Sequence, residues 1–431
     1  MAALSSIRLS DDLLRRRSSA WLRADWLAIG LEVTLLIIGI AFIYGAGVEV
    51  GGSLSGKWLH QLEWLSLGII IYVVTSAIDY HIWCRHSWIF YVIGLLLLLA
   101  VLVFGRTLNN TRGWLRVPGI GLVQPGEAAK PLTMLFLAWL ASIQEVRHTA
   151  LGIWLPAILL ALAAALPCLL ICLQPDFGTA MVLLPVTVVM MLLTGLRWRW
   201  FALGGAVVLL LLPIFYMNLK PYQKDRVKVF AAAPARNFSR AVAPFLPDKT
   251  AKSLEASVER FFTPAQGERK QDDWNARQSL LAVGSGGMFG KGYLHGTQHV
   301  LGYLPRTIAP TDFIFSVIAE EVGFLGAGTI LGLLAGLMLC FCRTALNAPD
   351  AQGTCLAMGA VIIFSTHILI NISMTIQAAP IVGIPLPFIS YGGSFMISTL
   401  FLAGLVQSVQ IHRSPYFQST SDSPDDLYEA T

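Results

Sequence analysis

The stretch "PTDFIFSVIAEE", residues 310–321, runs on through "VGFLGAGTILGLLAGLMLCFC" and stays apolar as far as Cys342. A run of that length can cross a bilayer, because about 20 apolar residues span the hydrocarbon core. Yet it carries Asp312 at its mouth and Glu320 with Glu321 further in. Helical spacing puts Asp312, Phe315, Ser316, Ala319, Glu320 and Gly323 on one face. At 1.5 Å per residue, Glu320 lies about 12 Å deeper than Asp312. Carboxylates at that depth are costly unless they face a bundle interior or a wet cavity. Asp312 therefore reads either as a helix N-cap or as a carboxylate free to act as a base or metal ligand. Glu320 reads either as an interhelical hydrogen-bonding group or as part of a binding site. The residues alone leave both choices open.

The rest of the chain has the same character. Of its 431 residues 55% are hydrophobic and 13% charged, with a mean hydropathy of +0.66. Soluble domains carry about 25% charged residues, so the expected fold is an all-α, polytopic membrane protein. Apolar runs predict about ten transmembrane helices, at roughly 26–46, 63–80, 87–105, 130–143, 151–172, 177–195, 200–217, 312–342, 354–377 and 394–411. The organisation that follows is a tail over 1–25, helices 1–7 over 26–217, one large loop over 218–311, helices 8–10 over 312–411, and a polar, acidic, disordered tail over 412–431. The first run, behind Arg8, Arg15, Arg16, Arg17 and Arg23, is long enough to be a retained span rather than a cleaved signal. Arg85, Arg147, Arg197, Arg199, Arg343 and Arg413 then recur on every second loop. The positive-inside rule makes that side, and both termini, cytoplasmic, and it makes the 218–311 loop extracytoplasmic. Loop 106–129 dissents, since it is external yet holds arginines. The six cysteines form no CxxC pair and lie in or beside apolar runs, so a zinc site or disulfide framework is not expected.

The unusual polar residues gather on the external side. "TRGWLRVPGIGLVQPGEAAKPL" holds Arg112, Trp114, Arg116, Gln124, Glu127 and Lys130. Glu127 and Lys130, three apart, share a helix face. Lys130 is then either a phosphate-binding cation at a helix start or a snorkelling lysine in a local ion pair. An anionic ligand would account for the arginines in loop 106–129. Asp176 in "QPDFGT" suits an N-cap. "GSGGMFGKGYLHGTQ", 284–298, has the wrong spacing around Lys291 for a Walker loop and follows no strand; its glycines suit a close backbone approach. "PIVGIPLPFISYGGS", 380–394, is a fixed non-helical loop that needs shelter within the protein. Within 218–311, Leu254, Val258 and Phe261 give one apolar stripe, as for a helix on the membrane surface. The residues thus describe a polar, partly cationic pocket opening outward, suited to a lipid-linked anionic substrate.

From about residue 85 onward the chain resembles the SEDS family (shape, elongation, division and sporulation). The resemblance rests on "QPGEAAK", "QPDFGT", "YQKDR", "RQSLLAVGSGGMFGKGYLHGTQ", "TDFIFSVIAEEVGFLG" and "GIPLPFISYGGS", in that order. "GKGYLHGTQ", and Val382 where the FtsW branch usually has lysine, are similar to the RodA branch. The resemblance implies a peptidoglycan glycosyltransferase that polymerises lipid II at the outer face of the bacterial cytoplasmic membrane, for elongation and cell shape. It implies Asp312 as the catalytic residue, with Glu127, Lys130 and Trp114 at the family's other matching positions; together with the reading of the residues themselves, the expected substrate-binding set is Lys130, Glu127, Trp114, Arg112, Gln124, Arg226, Lys291, Glu320 and Ser390. It implies no resident cofactor beyond a divalent cation, Mg or Mn, with Asp312 as its one candidate ligand. The implied partners are a class B penicillin-binding protein (a transpeptidase), lipid II, undecaprenyl-diphosphate-linked glycan and the elongation machinery, with no nucleic acid. The chain departs from the family at Gly126, Leu122, Pro310 and Phe395, and by an insertion near 231–257. The alternative is a lipid II flippase or other transporter of a lipid-linked substrate. Transporters commonly show internal repeats and mid-membrane sites, whereas this sequence has no evident repeat and its polar groups lie at the outer mouth.

Overall fold

Each expected span except the seventh becomes a helix; the seventh, 200–217, falls mostly outside the described residues. The computed structural model describes residues 21–48, 56–108, 111–117, 121–143, 154–203, 241–262, 269–304, 307–379 and 381–413, with a few single positions between 206 and 239. The helices are α1 (Trp26–Val48), α2 (Lys57–Ala77), α3 (Tyr80–Arg85), α4 (Ser87–Phe104), α5 (Pro125–Ser142), α6 (Trp154–Leu173), α7 (Phe177–Leu193), α8 (Asp248–Phe262), α9 (Arg269–Ser285), α10 (Thr297–Val300), α11 (Ile314–Leu346), α12 (Ala351–Thr375) and α13 (Gly393–Ile411). Of these, α1, α2, α4, α6, α11, α12 and α13 are long and apolar enough to cross a membrane. Their outer faces leave Leu27, Ile37, Ile70, Leu96, Val103, Phe104, Leu162 and Leu169 exposed. Such faces belong in lipid, where the backbone is satisfied within each helix and apolar side chains have no cost.

Helices α5, α11, α12 and α13 supply most of the core, joined by Leu35 of α1, Tyr72 of α2 and Leu304. Helix α13 packs along α2, α5 packs against α4, α12 and α13, and α11 against α1 and α12. At one end of the bundle, Arg23 donates to the Arg413 carbonyl, and Asp25, Arg343 and Arg413 line one cavity. At that same end His81 bridges Asp79 and Asp350, at 2.8 and 2.7 Å. Of the arginines expected on the cytoplasmic side, Arg23, Arg343 and Arg413 thus share one end; Arg8, Arg15, Arg16, Arg17 and Arg147 lie outside the described residues.

Three features depart from the expectations. The external loop after α4 is not irregular. It folds as a small antiparallel sheet, β1 (Arg106–Leu108), β2 (Thr111–Val117) and β3 (Gly121–Val123), with Arg106 opposite Trp114 and Leu115 opposite Val123. The all-α reading therefore needs a local exception. Helix α5 begins five residues before the expected span, because Pro125 at its first turn is preorganised for helix and its missing N–H costs nothing there. Helix α11 is interrupted at Gly323, whose φ of 68° no other residue adopts cheaply. The opened backbone pairs with the glycine-rich loop: Lys291 N donates to Glu320 O, Gly292 N to Glu321 O, Phe324 N to Gly287 O and Leu325 N to Met288 O. A Cβ at Gly286 or Gly290 would run into the carbonyls of Ala319 and Glu321. The close approach expected of these glycines is present, and its partner is the broken helix. In the large loop, α8 turns Leu254 and Val258 to its less exposed side, as their spacing implied.

Candidate active site

Segment 308–313 enters the bundle mouth as a turn, with the amides of Thr311, Asp312 and Phe313 all reaching the Ile308 carbonyl. The N-cap of α11 is Phe313, and its side chain makes no cap. Asp312 is therefore not a capping residue, which settles one choice the sequence left open. Its main chain is held instead. Asn371 of α12 donates one amide to Asp312 O at 2.9 Å and to Ile384 O at 2.7 Å. Ser390, fully buried, donates to Thr311 O at 2.6 Å and accepts from Leu386 N at 2.8 Å. Tyr391 N reaches Pro310 O at 2.9 Å. The Pro-rich loop and segment 308–313 are thus one hydrogen-bonded unit.

Among the described residues the Asp312 carboxylate itself makes no hydrogen bond. It faces Gly383, where a Cβ would sit 3.5 Å from Oδ2 and where φ is +71°. Asp312 lies two residues ahead of the spanning segment. Burial, with the Glu127 and Asp176 charges pushing the same way, raises its carboxyl to about 7. The side chain is partly open to the mouth and is nonetheless largely desolvated.

Facing it is the start of α5. Glu127 and Lys130 are 5% and 2% exposed, with Lys130 Nζ 2.8 Å from Glu127 Oε2, an ion pair rather than an aligned hydrogen bond. Lys130 does not snorkel. Pro131 has no N–H to offer the Glu127 carbonyl, and Ser398 of α13 supplies the missing donor at 3.0 Å. Lys130 Nζ also lies 2.9 Å from His367 Nε2 and 5.7 Å from the centre of the Phe395 ring. Gln124 donates from Nε2 to Asp176 Oδ2 at 2.9 Å and from its backbone to Ser394 Oγ at 2.9 Å. Asp176 caps α7 as its spacing suggested, accepting from Thr179 N and Oγ1. Strand β2 lies across this corner, with a Cβ at Gly113 4.0 Å from both Asp176 Oδ2 and Gln124 Nε2, and Trp114 follows half-buried.

The structure thus brings Asp312, Glu127, Lys130 and Gln124 to one mouth; strand β2 meets it through Gly113, and Trp114, the next residue of the strand, has its side chain on the other face. It does not bring Lys291 and Glu320 there. Glu320 is fully buried and accepts from Lys291 Nζ at 2.6 Å, Thr297 Oγ1 at 2.9 Å and Gln298 N at 2.9 Å. These groups lock the glycine-rich loop onto the broken helix. Of the sequence's two choices for Glu320, this is the hydrogen-bonding one. Ser390, expected against substrate, spends its hydroxyl on the scaffold. Arg226 and the Arg112 side chain lie outside the described residues. His367, Asn371 and Ser394 were absent from the sequence reading. The one available signal was a His and an Asn four apart, hence on one face, in an otherwise apolar run. No group of three or more His, Cys, Asp or Glu suited to a metal ion occurs among the described residues.

The fold and this mouth define a class: a polytopic membrane protein with an outward-facing site that combines one free carboxylate and one buried cation. The chain belongs to the FtsW/RodA/SpoVE family of cell cycle proteins, whose family model matches residues 25–240 and 250–415. It is 31% identical to the peptidoglycan glycosyltransferase RodA of Treponema pallidum (strain Nichols), over 89% of this chain and 97% of that one. It is 30% identical to the peptidoglycan glycosyltransferase MrdB of Escherichia coli (strain K12), over 90% and 95%. Among solved structures it is similar to a chain of a peptidoglycan synthase complex described as coordinating polymerization and crosslinking (27% identity, TM-score 0.68, 92% of this chain and 100% of that one). It is also similar to the rod shape determining protein RodA of Thermus thermophilus (26% identity, TM-score 0.61, 91% and 98%). Both the relatives and the structures support the RodA-like reading.

Proposed function

We propose that this protein is a RodA-type peptidoglycan glycosyltransferase that extends glycan strands from lipid II at the outer face of the cytoplasmic membrane. The observation that carries this reading is the uncommitted Asp312 carboxylate, held rigidly through its backbone opposite the buried Lys130–Glu127 pair. The acceptor is the GlcNAc 4-hydroxyl of lipid II. Asp312 takes its proton as the oxygen attacks the anomeric carbon of the lipid-linked strand, and undecaprenyl diphosphate leaves. Lys130 stabilises the charge that develops on the departing diphosphate, with Arg112 or Arg226 as a further cation. A divalent cation, Mg or Mn, fits as a companion of the substrate's phosphates: Asp312 offers a free carboxylate, and among the described residues no group of three or more His, Cys, Asp or Glu surrounds it. The partner is a class B penicillin-binding protein that crosslinks the product, in keeping with the coupled polymerization and crosslinking of the related complex. Flipping of lipid II is less well supported, since the deep Glu320 carboxylate is tied up by Lys291, Thr297 and Gln298.

The test is a gel of glycan products from purified protein and lipid II, with and without the transpeptidase. Wild-type protein yields polymer, and Asp312→Ala, equally well folded, yields none. A folded wild type that makes no polymer under either condition refutes the reading.

A further inference from the structure

Helix α12 carries two polar side chains one turn apart, His367 and Asn371, both essentially inaccessible to solvent. Asn371 holds Asp312 O and Ile384 O. His367 holds the neighbouring residue of the same loop: its Nδ1 is 3.1 Å from Pro385 O, while its Nε2 is 2.9 Å from Lys130 Nζ. The partners fix the tautomer. A carbonyl only accepts, so Nδ1 carries the hydrogen; an ammonium only donates, so Nε2 is bare. Phe395 stacks on the imidazole at 5.1 Å and 28° and so fixes its plane.

Lys130 has three N–H donors. Among the described residues Glu127 and His367 engage it, which leaves its third N–H without a polar partner. A lysine ammonium on a four-carbon stem is not rigid by itself. Held on two sides, with the Phe395 face beneath it, it becomes a preorganised donor, and donors aimed where charge develops gain most when they need not reorganise. The same imidazole ties Lys130 to the loop that carries Gly383 beside Asp312. The base and the cation are therefore mounted on one helix face through residues 371 and 367.

We propose that His367 is a positioning residue for glycosyl transfer: a neutral imidazole, protonated on Nδ1, that aims the Lys130 ammonium and couples it to the Pro-rich loop flanking Asp312. The role of this coupling in turnover rests on the glycosyltransferase reading above. The geometry of the coupling does not.

Two measurements test it. In lipid II polymerisation, His367→Leu should lower kcat by about 10- to 100-fold, the usual cost of losing an orienting partner, while KM for lipid II moves by less than about threefold. His367→Gln, whose side-chain oxygen can accept from Lys130, should recover most of that loss although its melting temperature is no higher than that of the Leu variant. If both variants keep wild-type kcat, or if both lose it in proportion to melting temperature, the positioning role is wrong. Independently of activity, 15N-histidine spectra in nanodiscs at neutral pH should show His367 with a bare Nε2 and a protonated Nδ1. The Nε2 signal should shift when Lys130→Met is combined with Glu127→Gln. A protonated Nε2, or a signal indifferent to that double change, overturns the coupling even if no variant folds well enough for kinetics. Absence of polymer from the wild type with the expected spectrum would sink the glycosyltransferase reading and leave the coupling intact.

Discussion

If Asp312 is the base, the rate must follow its ionisation. With the carboxyl pushed up to about 7, chiefly by burial and in part by the Glu127 and Asp176 charges, roughly half of the molecules hold an ionised base at pH 7, about a tenth at pH 6 and about a hundredth at pH 5. Turnover should therefore fall about tenfold per pH unit below 7 and level off above about 8. A carboxyl at its ordinary value of 3.8 would give a flat profile over the same range. The assay is the initial rate of glycan formation from lipid II between pH 5 and 9, with Asp312→Asn as the control, expected to lose about 100- to 10,000-fold. The same shift has a consequence for stability. Between about pH 4 and 7 the folded protein holds a proton on Asp312 that the unfolded chain has released, so the stability contributed by this group is present at low pH and is lost as pH rises through that window. Asn carries no such cost. Asp312→Asn should thus melt above the parent at pH 8, with the gap closing toward pH 4. A flat rate profile, or a variant that melts lower than the parent at pH 8, would refute the argument that desolvation tunes this carboxylate.

Further changes separate chemistry from scaffold. Lys130→Ala alone should destabilise the fold, by about 3–5 kcal/mol, by stranding a buried Glu127, whereas Lys130→Met with Glu127→Gln should melt near the parent and still lose turnover; a double variant that polymerises normally removes Lys130 from the reaction. Ser390→Ala should cost about 1–3 kcal/mol of stability by orphaning Thr311 O and Leu386 N, with residual turnover per folded molecule close to the parent; a large drop in that residual turnover would return Ser390 to the substrate set. Gly290→Ala meets the Glu321 carbonyl at a φ of 81° and should lower the melting temperature sharply, whereas Gly284→Ala, with open space around it inside α9, should not; equal effects would mean that the docked loop is not what holds the broken helix. Deleting residues 231–257 should leave basal polymerisation intact and reduce stimulation by the transpeptidase, as measured by polymer yield with and without that partner.

The helices were legible because lipid demands long apolar runs, and nothing else in a chain reads so plainly. Elements outside the lipid were not. The strands of the external sheet have three, seven and three residues, too few for an alternation to emerge around Gly113. Helix α9 is polar for most of its length, and only its packing against α11 and α12 distinguishes it from loop. Helix α2 starts before its apolar run because His60, Gln61 and Glu63 dilute its first turns without breaking the helix. The kink at Gly323 is invisible in a sequence whose other helical glycines, such as Gly328 and Gly332, sit in open space and bend nothing.

The site divides along the same line. Asp312, Glu127 and Lys130 betray themselves because charge at the end of an apolar run needs a reason. His367 does not, since a single histidine within a span looks like any satisfied core residue, and its partner lies 237 positions away. What the sequence could not convey is which polar groups face each other. Glu320 and Lys130 are both buried charges beside glycines and prolines, yet the first is held by three donors, whereas among the described residues the second has two polar partners for its three N–H groups. That difference makes the first a clamp and the second a candidate for chemistry. It follows from where α11 breaks and where α5 begins. Those two backbone events are set by Gly323 and by Pro125 with Pro131, so the residues that decide the chemistry of this mouth include three that carry no functional group at all.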